Sequence, residues 1–290
     1  MTAQTPTAPV RVVTIAFNPG PELDTFAATL ARATAREVEL VIVDNGTDRA
    51  RVDDVAARYA APLGARVQRP GRNLGYGAAA NLGAAGMSGS WLVVANPDVE
   101  WRPGSLDALL QAGARHPEAG ALGPRILNTD GTVYPSARAL PSLVTGSGHA
   151  VFARLWPGNP WTRAYRESQE EVADAEHAVG WLSGACLLLR RAAWAEIGGF
   201  DEEFFMFFED VDLGDRLGRR GWKNVYVPGA EVVHDQGASW RDKPASMIRA
   251  HHASAETYLH RRYDAPWQAP LRLALSAGLR ARCVWQTRGR

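Results

Sequence analysis

Three runs of apolar, largely β-branched residues punctuate the first hundred positions: VRVVTIAF at 10–17, VELVIVD within 38–48, and SWLVVAN at 90–96. They lack polar alternation, so as strands both of their faces must be covered. Between them lie helical spacings such as Leu23, Phe26 and Leu30, and a helix-like stretch at 49–60. A short polar strand, ARVQR at 65–69, precedes the glycine-rich loop PGRNLGYG and the helix it opens. Strand and helix alternating at this interval predict parallel strands joined by crossover helices. Ligands of such sheets bind beyond the carboxyl ends of the strands. Asp44 and Asp98 stand at two of those ends.

The second half has a different texture. DGTVYPS (130–136) opens on a turn signal, and 141–178 is rich in Pro, Gly and Trp without periodicity, which predicts long loops. GACLLLRR (184–191) is an apolar strand, followed at 198–222 by a glycine turn, an aromatic cluster and an acidic-then-basic helix. KNVYVPGAEVVHD (223–235) predicts two short strands, and 244–263 a helix. No internal repeat and no linker divides the chain. The expected organisation is a disordered lead-in at 1–9, an α/β domain at 10–243 that merges a parallel nucleotide-type half with a mixed half, and a helical, basic, amphipathic extension at 244–290.

Composition narrows the function classes. The formal net charge of +1 gives no global field for nucleic acid. Cys186 and Cys283 have no partners at metal spacing, which predicts reduced thiols in a cytosolic protein. MTAQTPTAPV has neither the basic nor the apolar region of a signal peptide. No run approaches the roughly 20 apolar residues of a membrane span. The charge is uneven, however: Arg261 to Arg290 holds seven Arg against one Asp, interleaved with Trp267, Leu271, Leu273 and Trp285. Such a segment is either a solvated helix packed on the body or a basic amphipathic helix lying on an anionic membrane surface.

Several stretches carry chemistry. Gly75-x-Gly77-x-x-Ala80 loosely matches a dinucleotide fingerprint, but it follows a short polar strand in the third βα unit, where tight packing accounts for the glycines equally well. Asp44, in Asp-Asn-Gly, is either a turn residue or an acceptor for a base N–H or ribose hydroxyl. Asp98 behind Pro97 either caps a helix that is expected to start just after it or serves a hard dication, which takes oxygen ligands and keeps substrate phosphates in its shell. His234 closes another strand and is a candidate second ligand. Glu209-Asp210 follows FFMFF, and an aromatic wall raises the proton affinity of a carboxylate, as a general base requires. Adjacent helical residues face different ways, so one of the pair meets the substrate, while Asp212, Asp215 and Arg216 organise the helix.

Taken in order, VVTIAFNPG, VDNGT, GRNLGYGAAAN, ANPDV, SGACLLLRR, GGFDEEFFMFFEDVDLGDRLGRRGW and VVHDQGAS resemble the inverting family-2 glycosyltransferases of the GT-A fold, across nearly the whole chain. GALGPRILNTDGTVYPSARALPSL and LWPGNPWTRAYR are similar to the rhamnosyltransferases of arabinogalactan linker synthesis. The resemblance implies transfer of L-rhamnose from dTDP-L-rhamnose to polyprenyl-diphosphoryl-GlcNAc. It implies that Asp44 contacts thymine or ribose, with Thr14 to Phe17 beneath the base, and that Asn73, Gly75, Tyr76, Asn81 and Asn96 line the donor pocket. Asp98 would hold Mg²⁺ or Mn²⁺ against the diphosphate, with His234 completing the shell. Trp181, Ser183 and Gly184 would face the acceptor sugar. Asp210 is the first candidate for the base and Glu209 the second. One departure is Asn96, where the family commonly has an acid, so the metal's charge partner is Asp98. A lipid-linked acceptor implies a cytoplasmic protein peripheral on the inner face of the plasma membrane, and favours the surface-anchor reading of the tail. The competing readings are a family-2 transferase of galactofuranose or a hexose, and a non-catalytic sugar-nucleotide-binding protein. A dehydrogenase leaves the acid pair, His234 and the tail unexplained.

Overall fold

The computed structural model describes residues 8–141, 174–235 and 245–288. β1 (Val10–Ala16), β2 (Val38–Asp44), β3 (Arg66–Gln68) and β4 (Trp91–Ala95) form a parallel block in the order β3-β2-β1-β4. Helices α1 (Glu22–Ala33), α2 (Ala50–Arg58), α3 (Ala60–Leu63) and α4 (Tyr76–Ala84) lie between them in the chain. The apolar runs are sealed on both faces. Val12, Leu40 and Ile42 pack with Phe26 and Leu30 of α1, whereas Val13, Val41 and Val43 pack with Ala79 and Ala80 of α4. Arg11 is a buried exception inside β1, and it is satisfied by the Gly83 carbonyl at 2.9 Å and by Glu39 at 2.7 Å.

The sheet continues through strands of mixed direction. β5 (Val99–Trp101), β6 (Ala119–Leu127), β11 (Cys186–Arg190) and β12 (Lys223–His234) extend the order to β4-β11-β6-β12-β5. Between β6 and β11 come β7 (Val133–Tyr134), β8 (Ala137–Arg138), β9 (His177–Val179) and β10 (Trp181–Leu182). α5 (Ser105–Arg115) shares the α1 face, while α6 (Arg191–Ile197) and α7 (Glu209–Arg219) share the α4 face. β11 runs antiparallel to β4, with Cys186 opposite Ala95. That register lays Ser183-Gly184-Ala185 beside the end of β4, where the Asn96 N–H donates to the Ala185 carbonyl at 2.9 Å.

Three features differ from the sequence expectation. Asp98 is followed not by a helix but by β5, because Trp101 is buried edge-on against Phe26 with ring centroids 6.1 Å apart. Residues 223–234 form one strand rather than two, and an irregularity between Val227 and Glu231 absorbs Pro228-Gly229. Of the stretch expected as loops, residues 142–173 lie outside the described residues, and its end forms β9 against β12.

Two further helices, α8 (Ala245–Arg262) and α9 (Ala269–Thr287), complete the chain. α8 packs on the segment leading into α7, where the Ser254 hydroxyl donates to the Met206 carbonyl at 2.7 Å and Arg262 pairs with Asp215 at 2.8 Å. α9 leans on α8 through Arg280–Glu256 at 3.0 Å and His260–Ser276 at 2.8 Å. Its other side is open: Trp267 just ahead of it and Trp285 within it are 79% and 77% exposed. Among the described residues no helix is long and apolar enough to cross a membrane.

Candidate active site

The first corner of the site follows from strand register. β5 pairs with β12 so that His234 stands opposite Val99, one residue beyond Asp98. His234 Nε2 is then 3.1 Å from Asp98 Oδ1 and 3.1 Å from Asn96 Nδ2. With its proton on Nδ1, Nε2 accepts from the Asn96 amide, and its lone pair also faces the Asp98 oxygen. Two lone-pair donors so close repel each other unless a proton or a cation lies between them. Their separation matches the spacing of about 3 Å between neighbouring ligands of an octahedral dication with bonds near 2.1 Å. Among the described residues no group of three or more His, Cys, Asp or Glu is placed to hold a metal ion, so Asp98 and His234 are the two candidate ligands here. His234 Nδ1 is buried and has no hydrogen-bond partner among the described residues.

The second corner is built by strain and burial. Phe207 and Phe208 both adopt left-handed backbone, with φ of 67° and 64°, which bulky residues rarely do. They turn the chain sharply into α7, so that Glu209 and Asp210 occupy its first turn. Several contacts hold the turn. The Phe208 carbonyl accepts from the Asp212 N–H at 2.9 Å, its ring packs against Tyr258 and His251 of α8, and Phe207 also meets His251. Asp210 Oδ2 accepts from the Gly184 N–H at 2.8 Å, and the Tyr76 hydroxyl donates to the Gly184 carbonyl at 2.6 Å. One residue, Gly184, therefore ties the glycine-loop helix α4 to the acid. A Cβ on Gly184 would lie 3.3 Å from the Asp210 Cβ, so a side chain there would press on the acid.

Burial raises the proton affinity of both acids. Glu209 is pushed up to about 8, first by desolvation and then by the neighbouring Asp210 charge, and its Oε2 has no partner among the described residues. Asp210 is also raised by burial, but the backbone N–H groups of Gly184 and Val211 and the charge of Arg138 oppose the shift. Asp210, half-buried, keeps an edge toward the cleft, whereas Glu209 is enclosed. The acids further along the helix organise it as expected: Arg216 bonds Asp212 at 2.6 Å and the Ile197 and Gly199 carbonyls at 2.9 Å.

The donor residues expected from the sequence fall at one end of the parallel block, with differing exposure. Phe17, just past β1, is 58% exposed and presents an open ring. Asp44 is buried, and its oxygens accept from the Gly46 N–H at 3.1 Å and from Arg69 at 3.0 Å, a partner that sequence reading missed. Thr14 lies deeper in β1, fully enclosed. Asn73 caps the Gly75 N–H at 2.9 Å, and neighbouring Asn45, also missed, holds the Gly75 carbonyl at 2.9 Å. Gly75 must be glycine: its φ is +81°, and a Cβ would sit 2.2 Å from the Phe205 carbonyl oxygen. Asn81 uses both ends of its amide as a latch, accepting from the Phe200 N–H and donating to the Phe200 carbonyl, each at 2.9 Å. On the acceptor side, Trp181 Nε1 donates to the Ala139 carbonyl at 3.1 Å, and the Ser183 N–H donates to the Ser136 carbonyl at 2.7 Å.

A parallel, nucleotide-type block with polar strand ends, fused to a mixed half that brings a buried acid pair to the same edge, defines a GT-A glycosyltransferase. Solved structures share that fold. GalNAc-T7 with UDP, GalNAc and Mn²⁺ superposes with a TM-score of 0.64 at 15% identity, covering 88% of this chain and 48% of that one. The mannosyltransferase PcManGT from Pyrobaculum calidifontis, in complex with GDP-Man and Mn²⁺, gives 0.58 at 17% identity, covering 97% of this chain and 72% of that one. The family described as "Glycosyltransferase like family 2" matches residues 8–253, and the chain belongs to it. It is 50% identical, over 93% of its length and 90% of the relative's, to the N-acetylglucosaminyl-diphospho-decaprenol L-rhamnosyltransferase of Mycobacterium tuberculosis.

Proposed function

We propose that this glycosyltransferase moves L-rhamnose from dTDP-L-rhamnose to polyprenyl-diphosphoryl-GlcNAc, with inversion at the anomeric carbon. The observation that carries the substrate reading is the 50% identity to the mycobacterial rhamnosyltransferase along nearly the full length of both chains. The two corners supply the chemistry. Asp210 takes the proton of the acceptor hydroxyl as that oxygen attacks the anomeric carbon, and the C–O bond to dTDP breaks on the opposite face. The Gly184 N–H, at 2.8 Å, fixes the direction of the carboxylate. Glu209, enclosed and of raised proton affinity, remains neutral behind it near neutral pH and spares the site a second charge. Phe17 offers its ring to the base, and Asp44, oriented by Arg69, offers its remaining lone pairs to thymine or ribose.

Asp98 and His234 are the residues that would hold Mg²⁺ or Mn²⁺, and the ion would offset the charge growing on the leaving diphosphate. The exposed Trp267 and Trp285 and the arginines of α9 support a peripheral seat on the anionic inner face of the plasma membrane, where a lipid-linked acceptor is met. The test is transfer of radiolabelled rhamnose from dTDP-L-rhamnose to a synthetic polyprenyl-diphosphoryl-GlcNAc, with Mg²⁺, Mn²⁺ or a chelator. Labelled lipid that disappears with chelator is the expected result. Donor binding without labelling would overturn the acceptor, and absence of both would overturn the donor.

A further inference from the structure

Arg138 is a cation at the edge of a site with several acids, and among the described residues it has no acidic partner. It lies on β8, which pairs with β10 so that Arg138 is opposite Trp181. Its Nε donates to the Pro135 carbonyl at 2.7 Å, and no carboxylate among the described residues pairs with it. Its guanidinium carbon lies 5.6 Å from the centre of the Tyr134 ring and 5.5 Å from that of Trp181. A half-buried guanidinium against two aromatic rings is held in place while its remaining N–H groups stay available. Other arginines of the domain are committed: Arg69 to Asp44 and Asp53, Arg216 to Asp212, and Arg261 to Asp201 and Glu203. Arg138 is also close enough to Asp210 for its charge to act on that carboxyl.

An acceptor carrying a diphosphate brings two further anionic groups into a cleft already lined by the carboxylates of Asp98 and Asp210. The donor's diphosphate has the Asp98–His234 corner. The acceptor's needs a cation of its own, within reach of a sugar whose hydroxyl rests on Asp210. We infer that Arg138 is an anion site for the phosphate adjoining the acceptor sugar, and that it makes the enzyme prefer diphosphate-linked to uncharged acceptors. Trp181 and Tyr134 fix the plane of the guanidinium fork, which binds phosphate oxygens in pairs. The inference rests on the reading of the acceptor as a polyprenyl-diphosphoryl sugar.

Wild type, Arg138→Gln and Arg138→Lys, all full length, are compared on geranyl-diphosphoryl-GlcNAc and on uncharged octyl β-GlcNAc, from about pH 6 to pH 9, the range in which a general base titrates. Arg138→Gln should raise KM for the diphosphate acceptor roughly 10- to 100-fold, as loss of a charge-assisted bond does, with kcat nearly intact. Transfer to octyl β-GlcNAc should be unchanged at the alkaline end of that range, while the pH profile moves upward equally on both acceptors, because the Arg138 charge no longer lowers the proton affinity of Asp210. Arg138→Lys should recover part of the loss, since a point charge still meets phosphate but does not stack. Equal losses on both acceptors at the alkaline end of the range, or no loss at all, would each overturn the inference. Calorimetric binding of geranyl-diphosphoryl-GlcNAc to the same proteins separates this from a failure of the substrate reading. Binding that depends on Arg138 without rhamnose transfer faults the donor alone, whereas no binding to wild type faults the acceptor reading and the inference with it.

Discussion

The two corners of the active site are made by opposite means. The Asn96–Asp98–His234 corner costs the backbone little: it is the end of two ordinary strands, aligned by the pairing of Val99 with His234. The Glu209–Asp210 corner depends on two left-handed phenylalanines, a buried acid with one oxygen that has no partner among the described residues, and a helix from the far end of the chain packed over them. A group that binds a soluble ligand gains from being open and ready-made. A base gains from being kept out of water, and the fold must then hold strain and buried charge in place. The corners are joined through Gly184-Ala185, where the Gly184 N–H bonds Asp210 and the Ala185 carbonyl accepts from the Asn96 N–H.

If the division is right, damage to one corner leaves the other working. The largest effect is expected for Asp210→Asn, which keeps the shape and the Gly184 contact but cannot take a proton. Turnover should fall by about 10²- to 10⁴-fold, the usual worth of a positioned base, in a rhamnose-transfer assay. Near-normal turnover would remove Asp210 from the role. Next comes Gly75→Ala, which strains the contact of the glycine loop with the segment leading into the acid corner. A left-handed residue carrying a Cβ costs about 1–3 kcal/mol before its clash with the Phe205 carbonyl is counted. Thermal denaturation should show a Tm several degrees lower, and an unchanged Tm would mean that the Phe205 strap moves aside freely.

Glu209 gives a smaller, pH-dependent signature. Its carboxyl goes from an ordinary 4.5 in the unfolded chain to about 8 in the fold, chiefly through burial. Between those values the folded state holds a proton that the unfolded state has lost. The stabilisation is therefore complete below the lower value and is lost as pH rises toward the upper one. Glu209→Gln stays neutral throughout, so its Tm advantage over wild type should grow from pH 5 to pH 8 and then level off. A constant difference would show that Glu209 is already ionised in the fold. The smallest effect on catalysis is expected from Trp267→Ser with Trp285→Ser. Activity on a water-soluble acceptor should persist, while co-flotation with anionic vesicles weakens. Undiminished flotation would return α9 to the role of a plain packed helix.

The same contrast explains what the sequence reveals. The donor corner is legible because its residues follow apolar runs whose ends are marked by Asp, Asn and Pro, and local pattern decides where such strands stop. Even there β5 escapes, since its cause is Trp101 packing on Phe26, a contact between distant segments. The acid pair is visible after its aromatic run, but its setting is not. The left-handed turn at Phe207 and Phe208, the Gly184 tie and the α8 buttress arise from residues far apart in the chain. Arg69 and Asn45 are missed for a related reason, because they act on Asp44 and Gly75 through folding rather than through any motif. Arg138 carries no signal at all until Trp181 is placed beside it.

The most direct test of the division of labour is calorimetric titration of dTDP with Mn²⁺ into wild type, Asp98→Asn and Asp210→Asn. Asp210→Asn should bind like wild type, with the same gain from Mn²⁺, although its turnover is lowered by about 10²- to 10⁴-fold. Asp98→Asn should lose that gain. Metal-enhanced binding that survives in Asp98→Asn, or that disappears in Asp210→Asn, would contradict the assignment of metal to one corner and proton to the other.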